Sequence, residues 1–218
     1  MNWQDVLPTA RLEWAFAGTS STQLVRNPQG QEVVHSTWRH WIDSSSLTPE
    51  DITDEGDMLP QADGERTLER GSMINPETGK LTEYEECWRD VGAVAVGHGH
   101  DGDRGAETLR VCAVLELQDD ANQARGMVVR VGQYCQGVVR VGEHFTLERW
   151  GWKGAERAEG SAVQRQEDGE QVGEWKRLAR IGDWWLPCGA AIEERLLKLR
   201  GEVKHHDMVW KVIELSHF

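Results

Sequence analysis

Apolar and polar positions alternate with a period of two along most of this chain, the spacing of half-buried β-strands. The densest alternation lies in residues 125–152, RGMVVRVGQYCQGVVRVGEHFTLERWGW. Val-Val-Arg-Val-Gly occurs there twice, at 128–132 and 138–142, around Gln-Tyr-Cys-Gln-Gly. Arg130 and Arg140 each sit between valines, while Gly132, Gly137 and Gly142 fall where strands bulge, bend or turn. The segment is either one long strand kinked at glycine or a hairpin turning near 133–137. Both require a curved antiparallel sheet, because nothing between the copies is long enough for a parallel crossover.

The same pattern predicts the other elements. Residues 11–18 form a strand ending at a Gly-Thr-Ser-Ser turn. Residues 22–26 and 31–43 form a hairpin across Asn27-Pro28-Gln29-Gly30, a favourable turn sequence. Trp38 and Trp41 face opposite sides of it if the strand is regular. Residues 44–64 are acidic and rich in Ser, Pro and Gly, with no sustained period. They read as an excursion loop holding at most one helical turn, with Thr48 as N-cap and Pro49 at the first position.

A second hairpin joins 65–73 to 80–91 around Asn75-Pro76-Glu77-Thr78-Gly79. On its return arm Thr82, Tyr84, Glu86 and Trp88 share one face, and Glu83, Glu85 and Cys87 the other. Glycine-rich stretches around residue 100 mark the candidate boundary between domains 1–98 and 99–218. Strands follow at 108–117, 161–165, 174–181 and 207–215. Only 190–200 reads as a helix, with Ile192, Leu196 and Leu199 on one side and Gly201 stopping it. The chain is therefore expected to be all-β with one short helix in its C-terminal half.

Charge narrows the partners. Thirty-seven acidic against 24 basic residues give a formal charge of −13. That field repels phosphate backbones and anionic lipid, so neither nucleic acid nor membrane is expected as a partner, whereas a basic protein is accommodated. The start lacks the basic and apolar regions of a secretory signal, and no apolar run reaches the length of a membrane span. The four cysteines lack CxxC spacing and read as reduced thiols of a cytoplasmic or nuclear protein. Eleven tryptophans against three phenylalanines and two tyrosines are the unusual feature. Indoles suit walls that are apolar yet close to a polar group, as in barrel linings and pockets.

No motif announces a reaction. Gly97-His98-Gly99-His100-Asp101-Gly102 satisfies GxGxxG, but two aspartates and a strand follow where the fingerprint needs a helix N-terminus. His98, His100, Asp101 and Asp103, like His205-His206-Asp207, read as solvent-exposed rather than as ligands, so no metal and no cofactor are expected. Cys135 reads as a buried strand residue, although His40 and His144 make a thiol nucleophile conceivable. There remain the acid–base candidates Glu13, Arg89, Tyr134 and His144, with Trp14, Trp38, Trp88, Trp150 and Trp210 as ligand-binding walls. Inside a barrel, Glu13 and Arg89 require partners and can supply them to each other.

The blocks Leu12-Glu13-Trp14-Ala15-Phe16-Ala17-Gly18-Thr19, Trp41-Ile42-Asp43 and Glu86-Cys87-Trp88-Arg89 resemble a fungal family of casein-kinase-I-interacting proteins, the yeast Hri type. Gly132-Gln133-Tyr134-Cys135-Gln136-Gly137 and Trp210-Lys211-Val212-Ile213-Glu214 complete the resemblance, in order, over nearly the whole chain. It implies two lipocalin-like antiparallel β-barrel domains in tandem, a cytoplasmic or nuclear location and a protein-kinase partner. It carries over no catalytic residue. The resulting expectation is a cytosolic barrel protein that binds a small apolar molecule, a protein partner, or both. The alternative is a cofactor-free cyclase or isomerase of fungal secondary metabolism, acting by acid–base catalysis in a Trp-lined pocket.

Overall fold

The computed structural model describes residues 6–27, 30–52, 54–74, 78–96, 110–153 and 173–218. Among them the chain is all-β: two antiparallel sheets, with one five-residue α-helix. It divides into two compact units, residues 14–92 and the described parts of 1–13 with 93–218. The expected boundary between 98 and 99 lies outside the described residues, as do the strand at 161–165 and the whole of 97–109.

The 14–92 unit is a five-stranded meander: β1 (Phe16–Arg26), β2 (Glu32–Asp43), β3 (Asp54–Pro60), β4 (Arg66–Ile74) and β5 (Leu81–Arg89), neighbours in space as in sequence. Both expected hairpins form, β1–β2 and β4–β5. Two expectations fail. The Gly-Thr-Ser-Ser segment is not a turn, because β1 runs straight through it. Instead the ladder slips there: Ala17 faces Ile42 and Gly18 faces His40, which leaves Trp41 as the extra residue of a bulge. A Cβ on Gly18 would stand 1.9 Å from the Arg39 carbonyl oxygen, so glycine serves close approach rather than reversal.

The second failure is at 44–64. A 3-10 turn does sit at Pro49–Asp51, after Thr48, but 54–60 is β3, hydrogen-bonded to β2 on one side and β4 on the other. Glu55 and Asp57 stand on one sheet face and Asp54 on the other, and the backbone is paired with both neighbours. Among the described residues the edge strands β1 and β5 are not hydrogen-bonded to each other.

The second unit holds β6 (Val111–Asp119), β7 (Ala124–Val131), β8 (Tyr134–Val141), β9 (His144–Lys153), β10 (Glu174–Ile181), β11 (Glu202–His205) and β12 (Met208–His217). Their spatial order is β10-β9-β8-β7-β6-β12-β11. The repeated pentapeptide resolves as successive hairpins rather than one kinked strand. Each copy ends a strand, and Gly132 and Gly142 open the turns with φ of +51° and +53°. The apolar core lies in this unit, where Val111, Ala113, Leu115 and Leu117 on one face of β6 meet Val128, Val139, Trp210 and Val212.

The helix differs from its expected span of 190–200. α1 covers only Cys188–Ile192, and a 3-10 turn follows at Glu194–Leu196. Leu197 is the buried leucine, while Leu196 and Leu199 are 74% and 54% exposed. Continuation of the helix is cut off because the chain must return to β-pairing: Arg200 N–H already donates to the Val212 carbonyl. The carbonyls at the end of α1 are met by Arg130, fully buried, whose Nη1 donates to Ala191 (3.2 Å) and Ile192 (2.7 Å).

Candidate functional site

In the five-stranded sheet, strand register places four ionisable side chains side by side. His35 on β2 faces Asp57 on β3, which faces Arg70 on β4, which faces Glu85 on β5. Because the residues are directly opposite, they share one sheet face. His35 Nδ1–H donates to Asp57 (2.8 Å), and Arg70 Nε donates to Glu85 (2.7 Å). On the same face Glu55 lies opposite Thr37 and reaches His35 Nε2 at 3.6 Å, and Glu83 lies opposite Ser72.

These residues line an open cleft of about 710 Å³. Four carboxylates (Glu55, Asp57, Glu83, Glu85) face one guanidinium and one imidazole, and Glu83 has no partner among the described residues. The Asp57 hydrogen bond, opposed by partial burial and reinforced by Glu55, raises the His35 pKa above its ordinary value.

The opposite face of the same strands is aromatic and acidic. Glu69 is buried and accepts both the Tyr84 hydroxyl and the Trp88 indole N–H, each at 2.7 Å. Gly56 and Gly71 make this possible: a Cβ at Gly56 would stand 2.8 Å from Glu69 Cγ, and one at Gly71 2.4 Å from the Tyr84 oxygen. Burial, with the Glu69 hydrogen bond, pushes the Tyr84 phenol far up. Burial together with Glu69 and Asp54 also raises the Glu86 carboxyl.

Toward the other end of β2, His40 bridges two carboxylates, Nδ1 to Asp43 (2.9 Å) and Nε2 to Asp54 (3.2 Å), and stacks on Phe16. Asp43 also accepts from the Trp14 indole at 2.8 Å and from Ser45. Burial alone would raise its pKa, but the hydrogen bonds from Ser45, Trp14 and His40 outweigh it and hold the carboxyl below its ordinary value. His40 and Asp43 side chains are wholly inaccessible, so this group acts as a staple between the end of β2 and the segment before β1.

The sequence-derived candidates do not converge on the cleft. Glu13 and Arg89 are both exposed, and neither is the buried charge that a barrel interior would demand. Tyr134 is exposed with Arg149 over its ring, and His144 is exposed at the start of β9 opposite Val141. Of the five tryptophans, Trp14 is tied to Asp43, and Trp38 is half-buried opposite Ser20 and Asp54. Trp88 is 48% exposed. Trp150 donates to Glu148, and Trp210 is fully buried in the second unit's core. None of the nine lines the cleft.

Cys135 is fully buried beside Cys188, both thiols free. Among the described residues no group of His, Cys, Asp and Glu is arranged to hold a metal. The 97–103 loop lies outside the described residues. Burial and His206 lower the pKa of half-buried His205. Sequence reasoning missed His35, Glu55, Asp57 and Arg70; the run Glu55-Gly56-Asp57-Met58-Leu59 has no alternation of apolar and polar positions to mark it as a strand.

No helix among the described residues is long and apolar enough to cross a membrane. No curated protein matches the chain. A crystal structure of the uncharacterized protein YLR301w from Saccharomyces cerevisiae is similar in fold, with 18% identity and a TM-score of 0.54. The similarity covers 94% of this chain and 79% of that one. The profile of the family described as Protein HRI1 matches residues 3–214, and the chain therefore belongs to the HRI1 family.

Proposed function

We propose that this protein is a binding module whose working surface is the charged cleft on the five-stranded sheet, and that its ligand is cationic. The row His35–Asp57–Arg70–Glu85, flanked by Glu55 and Glu83, carries this reading. Burying an apolar molecule against such a row would desolvate carboxylates without giving them partners, at a cost of about 1–3 kcal/mol for each group left unpaired. Of the two occupants expected from the sequence, the lining therefore favours a protein partner over a small apolar molecule. A kinase is the form of partner that the family resemblance implies, in a cytoplasmic or nuclear setting.

Each sheet is read as the wall of a lipocalin-like barrel, with the cleft on the face that carries the His35–Asp57–Arg70–Glu85 row. The cyclase or isomerase alternative is not favoured by any observation, since Glu13, Arg89, Tyr134 and His144 stand apart from the cleft.

Equilibrium binding of a polyamine, spermidine, followed by calorimetry at low salt tests the reading. Binding should weaken steeply with ionic strength and on Glu83→Lys. Equal affinity for an uncharged fatty alcohol, or no polyamine binding at all, would contradict it.

A further inference from the structure

The cleft runs out to β5, the last strand of its sheet. Among the described residues the outer edge of β5 pairs with no strand, which leaves a row of backbone N–H and C=O groups on that side unanswered. Its ladder with β4 is unbroken over nine residue pairs, from Arg66↔Arg89 to Ile74↔Leu81, so the edge is regular enough to template another strand. Every residue of β5 except Tyr84 is exposed.

The side chains along this edge are acidic on both faces. Glu83 and Glu85 point to the cleft side, and Glu86 to the other. Glu85 is answered by Arg70, whereas Glu83 and Glu86 have no cationic partner among the described residues. The opposite edge, β1, offers no such charge: residues 19–24 read Thr-Ser-Ser-Thr-Gln-Leu, and its ladder is interrupted by the bulge at Gly18.

We infer that the cleft's ligand is an extended peptide with basic residues at alternating positions, which adds to β5 as a sixth strand. This rests on the cationic-ligand reading above and deepens it. Backbone hydrogen bonds to β5 supply affinity that is independent of sequence. The period of two then directs alternate Lys or Arg side chains toward Glu83 and Glu85, with Glu86 meeting the intervening ones. Acidic residues on an exposed edge also keep like chains from pairing there, so the same charge that admits a basic strand repels a second copy of β5.

The probe is a capped peptide of alternating Lys and Thr, titrated into the full chain, with backbone amide exchange followed residue by residue. Slowed exchange is expected at alternate amides of β5, with little change in β1. A peptide N-methylated on its strand-pairing edge should lose binding although its charge is kept. The variant Glu83→Lys reverses an exposed carboxylate on the face that meets the lysines and should weaken the unmodified peptide several-fold.

Three results overturn the inference. Equal binding of the N-methylated peptide, or spermidine binding without a tighter peptide, removes strand addition and leaves the cationic-ligand reading standing. Alternate β5 amides already protected in the free protein would mean that the edge is closed. Binding of neither peptide nor spermidine removes both readings together.

Discussion

Arg180 on β10 and Glu148 on β9 form an ion pair at 2.9 Å with side chains only 2% and 4% exposed. The guanidinium also donates to the carbonyls of Asp183 and Trp184, at 3.2 and 2.8 Å, and lies 4.3 Å from the Trp185 ring centroid. Glu148 in turn accepts the Trp150 indole. One pair thus ties the outer hairpin of the seven-stranded sheet to the loop that leads into α1. Removing one member leaves a buried charge alone, so Glu148→Ala should lose about 3–5 kcal/mol of stability. Replacing both, with Glu148→Leu and Arg180→Met, should cost less than the single change. Urea midpoints of the three proteins check this, and equal losses would contradict it.

Gly126 on β7 and Trp210 on β12 are in close contact. A Cβ at Gly126 would stand 2.2 Å from the Trp210 ring, and that ring is wholly buried. Gly126→Ala should displace the indole and destabilise the unit by about 1–3 kcal/mol. The effect reads out as a lower thermal midpoint and a change in near-ultraviolet circular dichroism. An unchanged spectrum would mean that the core yields freely at that point.

The His35 pKa is raised, chiefly by the Asp57 hydrogen bond. A histidine whose folded pKa exceeds its unfolded value binds its proton more tightly when folded. Its stabilising contribution is therefore complete below about pH 6.5, the unfolded value, and disappears as the pH rises through the higher folded value. Relative to His35→Gln, the wild-type chain should lose stability as the pH rises from about 6.5 through the higher folded-state value. Urea titrations across that window, with the His35 ring followed by NMR, measure it. Parallel curves for the two proteins would refute it.

Glu69 accepts the Tyr84 hydroxyl, and its charge opposes formation of a tyrosinate. Glu69→Gln keeps an acceptor and removes the charge, so the Tyr84 pKa should fall while staying above the ordinary phenol value because burial remains. Ultraviolet titration resolves it against the exposed Tyr134, the second tyrosine of the chain.

Much of the architecture was legible because alternation is a direct consequence of pleating. On β5 the sequence places Tyr84, Glu86 and Trp88 on one face and Glu83 and Glu85 on the other. Tyr84 and Trp88 do meet Glu69, and Glu85 meets Arg70 across the strand. Three features were hidden. Gly18 has the appearance of a turn, but its need for close approach depends on Arg39, which only the fold brings near. β3 was obscured because Asp54, Glu55 and Asp57 carry no apolar signal, and its pairing comes from strands on both sides. The cleft was hidden for a related reason: its row joins residues from four strands, and register between strands is not written in any one of them. Counting tryptophans pointed to walls, yet these indoles mostly serve as hydrogen-bond donors to carboxylates or as core packing.

The place of β12 has a consequence for biosynthesis. Residues 208–217 lie between β6 and β11, so β12, which follows the other described strands of its sheet in the chain, is hydrogen-bonded to β6, the first of them. While a ribosome is still supplying that stretch, the nascent β6 keeps one flank bare, with Val111, Ala113 and Leu115 lacking the cover of Trp210 and Val212. A chain truncated near residue 205 would therefore keep that flank open, an aggregation-prone border toward neighbouring copies.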